Sequence, residues 1–182
     1  MSRRRLVPQR KVIFIGTEGD SDRAFVQFLQ RCYQEHLPVS LKIKPASGGD
    51  SVTIVEDIGR WLAKNPSRKD YQARLVLLDH DRIEQDLRAG RNAQVVATRY
   101  KLEIVFQNPN LEGLLLRLHL GRERQNIAAH RAINELQKVW RAYKKPPTAD
   151  LLQQRFTLAD VRRAAAHDQH LRKLLDVIGL WS

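Results

Sequence analysis

The chain has 182 residues, of which 42% are hydrophobic, 29% charged and 7% aromatic, enough for one domain with a real core and excluding fibrous and disordered classes. Thirty-two Lys and Arg against 20 Asp and Glu leave a formal net charge of +12, so nucleic acid is the first partner to consider. The single cysteine, Cys32, excludes an intramolecular disulfide and a cysteine-rich zinc ribbon and points to a reducing, cytoplasmic setting. No window approaches the ~20 apolar residues that cross a bilayer: even Leu111 to Leu120 is interrupted by Glu112, Arg117 and His119. The apolar run after the basic amino-terminal arm is too short for a signal-peptide core, and a soluble protein is expected.

The arm (Arg3, Arg4, Arg5, Arg10, Lys11) leads into a first buried strand that closes at Gly16. Ser21 is placed to cap a helix with an apolar face of Phe25, Phe28, Leu29 and Cys32. Val39 to Lys44 alternates as a strand. After the Gly48-Gly49 turn, Asp50 or Ser51 starts a helix with Ile54, Val55, Ile58, Trp61 and Leu62 inward, which Asn65-Pro66 stops. Arg74 to Leu78 is a third strand, followed by a short polar helix from about Ile83 to Arg91, and Leu102 to Phe106 is a fourth. Asn108-Pro109 then opens an almost wholly apolar helix, which must be buried and which Gly121 ends. Alternating strands and helices predict an α/β fold with a mainly parallel four-stranded sheet flanked by helices. Residues 1–121 form this core and its arm. Residues 122–182 form a helical extension packed on it as one compact unit, with a basic helix over Arg122 to Lys145 and an amphipathic one opened by Thr157 and Asp160.

In an open parallel sheet, ligands collect beyond the carboxyl ends of the strands. All three such places here are acidic: Glu18 after the first strand, Asp79-His80-Asp81 after the third, and Asn108 with Glu112 one helical turn on after the fourth. Gathering carboxylates in a chain of net charge +12 is costly unless a cation sits among them, and Mg2+, or Mn2+ in its place, suits oxygen ligands. Asp79 and Asp81, two residues apart, share a direction in extended backbone, and Glu18 faces them across the crevice. Helix capping accounts equally well for Asn108, and the helix macrodipole for Glu112. His119 reads as a core histidine, and His167 with His170 as part of a solvated face, so no zinc site is assigned. Gly16-Thr-Glu-Gly19 is too short and acidic to cradle phosphates. Arg122, Arg124, Arg131, Lys144 and Lys145 are candidates for a phosphate-binding track.

Glu18-Gly19 after one strand and Asp79-His80-Asp81 after a later one resemble the TOPRIM domain shared by topoisomerases, bacterial primases and OLD-type nucleases. Asn108-Pro-Asn-Leu-Glu112 through Leu118-His119, with Tyr143-Lys-Lys145 further on, is similar to the RloB-like family. Leu111 and Gly113 depart from that family's residues beside the glutamate, and Ile83 stands where topoisomerases carry a third aspartate, which favours the nuclease branch. The resemblance implies magnesium-dependent phosphodiester cleavage of DNA or RNA. Glu18, Asp79 and Asp81 would bind metal, Glu112 would complete the catalytic set, and Gly19 and Asn108 would support it. It also implies a place in bacterial restriction or phage defence, with partner proteins of such a locus. The alternative expectation is a non-catalytic nucleic-acid-binding or scaffold protein with a vestigial acidic site.

Overall fold

A computed structural model describes residues 11–32, 39–65 and 71–181; the arginine-rich arm lies outside them. Four strands, β1 (Lys11–Thr17), β2 (Val39–Pro45), β3 (Ala73–Asp79) and β4 (Glu103–Gln107), form one all-parallel sheet in the order β2-β1-β3-β4. Successive side chains on a strand point to opposite faces, so the sheet feeds two apolar layers. Ile13, Ile15, Leu75, Leu77 and Val105 enter one, and Phe14, Val76, Leu78 and Ile104 the other.

The second layer is covered by α2 (Ser51–Lys64), α3 (His80–Arg88) and α4 (Ala93–Tyr100), which contribute Ile54, Ile58, Ile83 and Val96. Helix α2 starts as expected, with Asp50 accepting a hydrogen bond from the Thr53 N–H. Helix α3 begins at His80, three residues earlier than its sequence suggests, so that Asp81 falls in its first turn. Helix α4 has no counterpart in the sequence reading; Asn92 caps it, and Lys101 ends it in the left-handed region at φ 54°.

The first layer carries α1 (Asp20–Arg31), α5 (Leu111–Arg117), α6 (Ala129–Val139), α7 (Ala149–Arg155), α8 (Leu158–Ala165) and α9 (Gln169–Val177). Phe25, Phe28, Leu136, Trp140, Leu152, Val161 and Leu174 share one apolar cluster with the inner strands, so residues 122–181 pack onto the sheet through a continuous core. All seven residues of α5 are buried.

Further sequence expectations are corrected, the first being the end of α5, at Arg117 rather than Gly121. Helix α1 is entered at Gly19 rather than Ser21, because the Asp22 carboxylate accepts the Gly19 N–H at 3.2 Å and closes the first turn. The basic helix shrinks to Ala129–Val139, which leaves Arg122, Arg124, Lys144 and Lys145 in turns on either side. The final helix is two, because Asp168 accepts the N–H groups of His170 and Leu171 and restarts the chain as α9.

Candidate functional site

Thr17 is the last residue of β1, and its hydroxyl donates to the Gly19 carbonyl at 3.3 Å, shaping the turn that carries Glu18. Gly19 has an extended backbone, and a Cβ there would meet nothing within 4 Å, so its contribution is the N–H it gives Asp22 rather than any conformation only glycine can adopt. Asp79 ends β3. Its Oδ1 accepts the Leu111 N–H at 3.2 Å, while the Asp81 N–H donates to the Pro109 carbonyl at 3.2 Å. These two bonds tie the ends of β3 and β4 together. The cap of α5 is Asn110, whose Oδ1 accepts from the Gly113 N–H, rather than Asn108, and Pro109 lies close against Gly113. Gly113 permits this approach: a Cβ on it would lie 2.5 Å from Pro109 Cδ.

Glu112, 2% exposed, is held by two groups from the far end of the chain. Its Oε1 accepts from the Tyr143 hydroxyl and pairs with Lys145 Nζ, each at 2.9 Å. Glu18 Oε1 pairs with Arg82 at 3.0 Å, while Glu18 Oε2 is buried without a hydrogen-bond partner. The Gln107 amide at the end of β4 is also buried; it sits beside Asp22, and neither its oxygen nor its nitrogen has a well-formed hydrogen bond.

Five carboxylates thereby press on one another. Burial, followed by Asp22, Glu18, Asp81 and Glu112, pushes Asp79 up to about 8. Burial and then Glu18 raise Asp22 to about 7, against the Gly19 N–H, the Gln107 side chain and Lys145. Glu18 is raised chiefly by burial and further by Asp81, although Arg82 and the Asp79 backbone oppose the shift. Burial pulls Lys145 down, but the Glu112 hydrogen bond and the charges of Glu112, Asp79 and Asp22 outweigh it and hold the ammonium above its ordinary value. Burial and then Glu112 keep the Tyr143 hydroxyl protonated, as its hydrogen bond to Glu112 requires.

The structure thus brings Glu18, Asp79, Asp81 and Glu112 into one electrostatic neighbourhood and adds Asp22, Gln107 and Arg82, which the sequence reading missed. An acid in the first turn of a helix reads as a cap, and Asp22 is one, which hides its second role. Among the described residues, no three His, Cys, Asp or Glu side chains converge as a ready-made metal ligand set. The donor chemistry still suits a hard cation: all five candidates are carboxylates, and Glu18 Oε2 is buried and unsatisfied.

The expected phosphate track separates into parts. Arg131 lies on α6 beside Glu135 at 3.5 Å, Arg122 donates to Gln125, and Arg124 and Lys144 are exposed. Lys145 instead reaches into the carboxylates. His119 is structural, with its ring edge-on to Phe156 and Nδ1 3.2 Å from the Leu115 carbonyl oxygen. His80 packs edge-on against Phe106. No helix among the described residues is long and apolar enough to cross a membrane. Compared with protein-family models, curated proteins and solved structures, the chain finds no match in any of the three.

Proposed function

We propose that the protein is a magnesium-dependent nuclease of the TOPRIM type that cleaves phosphodiester bonds in DNA or RNA. The observation that carries this reading is the crowding of Glu18, Asp22, Asp79, Asp81 and Glu112 at the carboxyl ends of parallel strands in a chain of net charge +12. Glu18, Asp79 and Asp81 would hold Mg2+ or Mn2+, which when bound withdraws charge from the phosphate oxygens in the transition state. Glu18, with one oxygen anchored by Arg82 and the other unpartnered, exchanges a proton with the attacking or leaving oxygen. Tyr143 and Lys145 fix the Glu112 carboxylate at the edge of the group. Arg122, Arg124, Arg131 and Lys144 draw in the phosphate backbone. The cytoplasmic setting follows from the lone Cys32, while the role in bacterial restriction or phage defence, with partner proteins of such a locus, rests on the RloB-like resemblance.

A second reading, a nucleic-acid-binding or scaffold protein without catalysis, is favoured by the same site's internal cations. Arg82 and Lys145 already neutralise Glu18 and Glu112 in part, and among the described residues no three carboxylates converge as a ready-made metal ligand set. Purified protein incubated with single- and double-stranded DNA and RNA in Mg2+ or Mn2+ separates the two readings. The nuclease reading expects metal-dependent cleavage that is abolished in Asp79→Ala. It also expects cleavage reduced by about two to four orders of magnitude in Glu18→Gln with affinity preserved. Binding without cleavage under every metal condition supports the scaffold.

A further inference from the structure

Beside the carboxylates lies a cavity of 490 Å³. Sites for small organic ligands run from about 300 to 1,000 Å³. Its walls are His80, Asn108, Arg117, the turn at 123–126 and the corner between α8 and α9 at 167–170. Two of these residues adjoin the carboxylate group along the chain. His80 separates Asp79 from Asp81, and Asn108 precedes the Pro109 whose carbonyl accepts the Asp81 N–H.

Both acidic residues in the lining are already engaged. Asp168 pairs with Arg117 at 2.7 Å and caps α9, and Glu123 pairs with Arg163 at 2.5 Å and accepts the Gly121 N–H. Uncommitted groups of a different kind remain. Arg124 is exposed and has no ion pair among the described residues, and the side chains of Asn108, Asn126 and His167 have no hydrogen bond among them. His80 and His170 each pack edge-on against Phe106, with ring centroids 5.3 and 4.9 Å away. An unbalanced guanidinium, free amides able both to donate and to accept, and flat rings form a lining suited to a phosphate joined to a heterocyclic base.

Resting on the nuclease reading, we propose that this cavity receives one unpaired nucleotide adjoining the phosphodiester presented to the carboxylates, with its phosphate on Arg124 and its base edge on Asn108 and Asn126. A paired base would first have to leave its stack, at a cost of a few kcal/mol, so the preferred substrate is single-stranded or locally unpaired at this position.

The test titrates the full chain, without divalent ion, with each of the four nucleoside 5′-monophosphates. The matching nucleosides and inorganic phosphate are the control probes, and binding is followed by NMR or calorimetry. At least one monophosphate is expected to bind about tenfold more tightly than either its nucleoside or phosphate, and Arg124→Ala to weaken it about tenfold. Asn126→Ala should change the order of preference among bases. A single-stranded oligonucleotide should displace the bound nucleotide at concentrations where the duplex of the same sequence does not. Phosphate binding as tightly as the nucleotides, affinity indifferent to Arg124→Ala, or equal displacement by duplex each overturns the proposal. Since Arg124 is exposed and unpaired, its replacement does not threaten the fold. Nucleotide binding by a protein that cleaves nothing would reject the nuclease and keep the pocket. Cleavage by a protein that binds no nucleotide would do the reverse.

Discussion

Two groups of carboxylates in this molecule are handled in opposite ways. Asp86, on α3 in the second layer, is 4% exposed and accepts the Ser51 N–H and the Arg91 guanidinium, each at 2.8 Å. Burial alone would raise it, but the hydrogen-bonding groups of Ser51 and the charge of Arg91 hold it below the usual carboxylate range. Asp168 is likewise matched, with the buried Arg117 at 2.7 Å. Where β1 and β3 end, the half-buried Asp79 and the buried Asp22, in the first turn of α1, lie beside further acids and are pushed upward. Charge is matched at Asp86 and Asp168 but only in part at the strand ends, where Arg82 and Lys145 pair with Glu18 and Glu112 and leave Asp79 and Asp22 among acids.

The sharpest way to break this contrast is at the matched end. Arg117→Met strands Asp168 without its partner and should lower stability by about 3–5 kcal/mol, read from denaturant unfolding. An unfolding midpoint equal to the parent's would mean that the pairing supports nothing. A smaller effect comes from comparing Asp86→Ala with Asp79→Asn in the absence of divalent ions. The first orphans the buried Ser51 N–H and should cost about 2 kcal/mol. The second replaces a carboxyl that is already mostly protonated near neutral pH by another neutral group and should leave stability unchanged, while blunting the gain in melting temperature that Mg2+ gives the parent. Equal losses in the two variants would erase the distinction between the regions.

The smallest effect is the dependence on pH. In the metal-free protein, Asp79 and Asp22 titrate near 8 and 7, against about 4 in the unfolded chain. The folded state therefore holds protons that the unfolded state has released. Their contribution is complete below about pH 4 and is lost as pH rises through 7 to 8. Stability should fall between pH 5.5 and 8.5. Asp79→Asn should flatten that fall, and a parent whose stability rises over the interval would contradict the assigned shifts.

The sheet was legible because each strand is an apolar run bounded by polar or glycine residues, and α2 because its apolar spacing and Asp50 cap agree. Helix α4 was not, because Ala93–Tyr100 has only a weak apolar stripe and owes its existence to Asn92 at one end and the left-handed Lys101 at the other. The periodicity of Leu158, Val161, Leu171 and Leu174 continues across Asp168, so local spacing cannot reveal the break that its capping bonds create. Glu18, Asp79, Asp81 and Glu112 were readable from their places after strands. Asp22, Gln107 and Arg82 were not, since a capping acid, a strand-end amide and a surface-type arginine acquire meaning only from what faces them across the crevice. Lys145 was expected on a phosphate-binding track with Lys144, and its pairing with Glu112 depends on where the segment after α6 delivers it.

The bonds from Tyr143 and Lys145 to Glu112 also set an order of events during synthesis. When the segment through residue 121 has emerged from the ribosome, every candidate carboxylate has been made, but Glu112 lacks both of the groups that hold it and the inner face of the sheet lacks Leu136, Trp140 and Tyr143. A nascent chain at that stage carries the acidic residues without the assembled edge. The assembled edge therefore arrives late in translation, after residues 143 to 145 have been made.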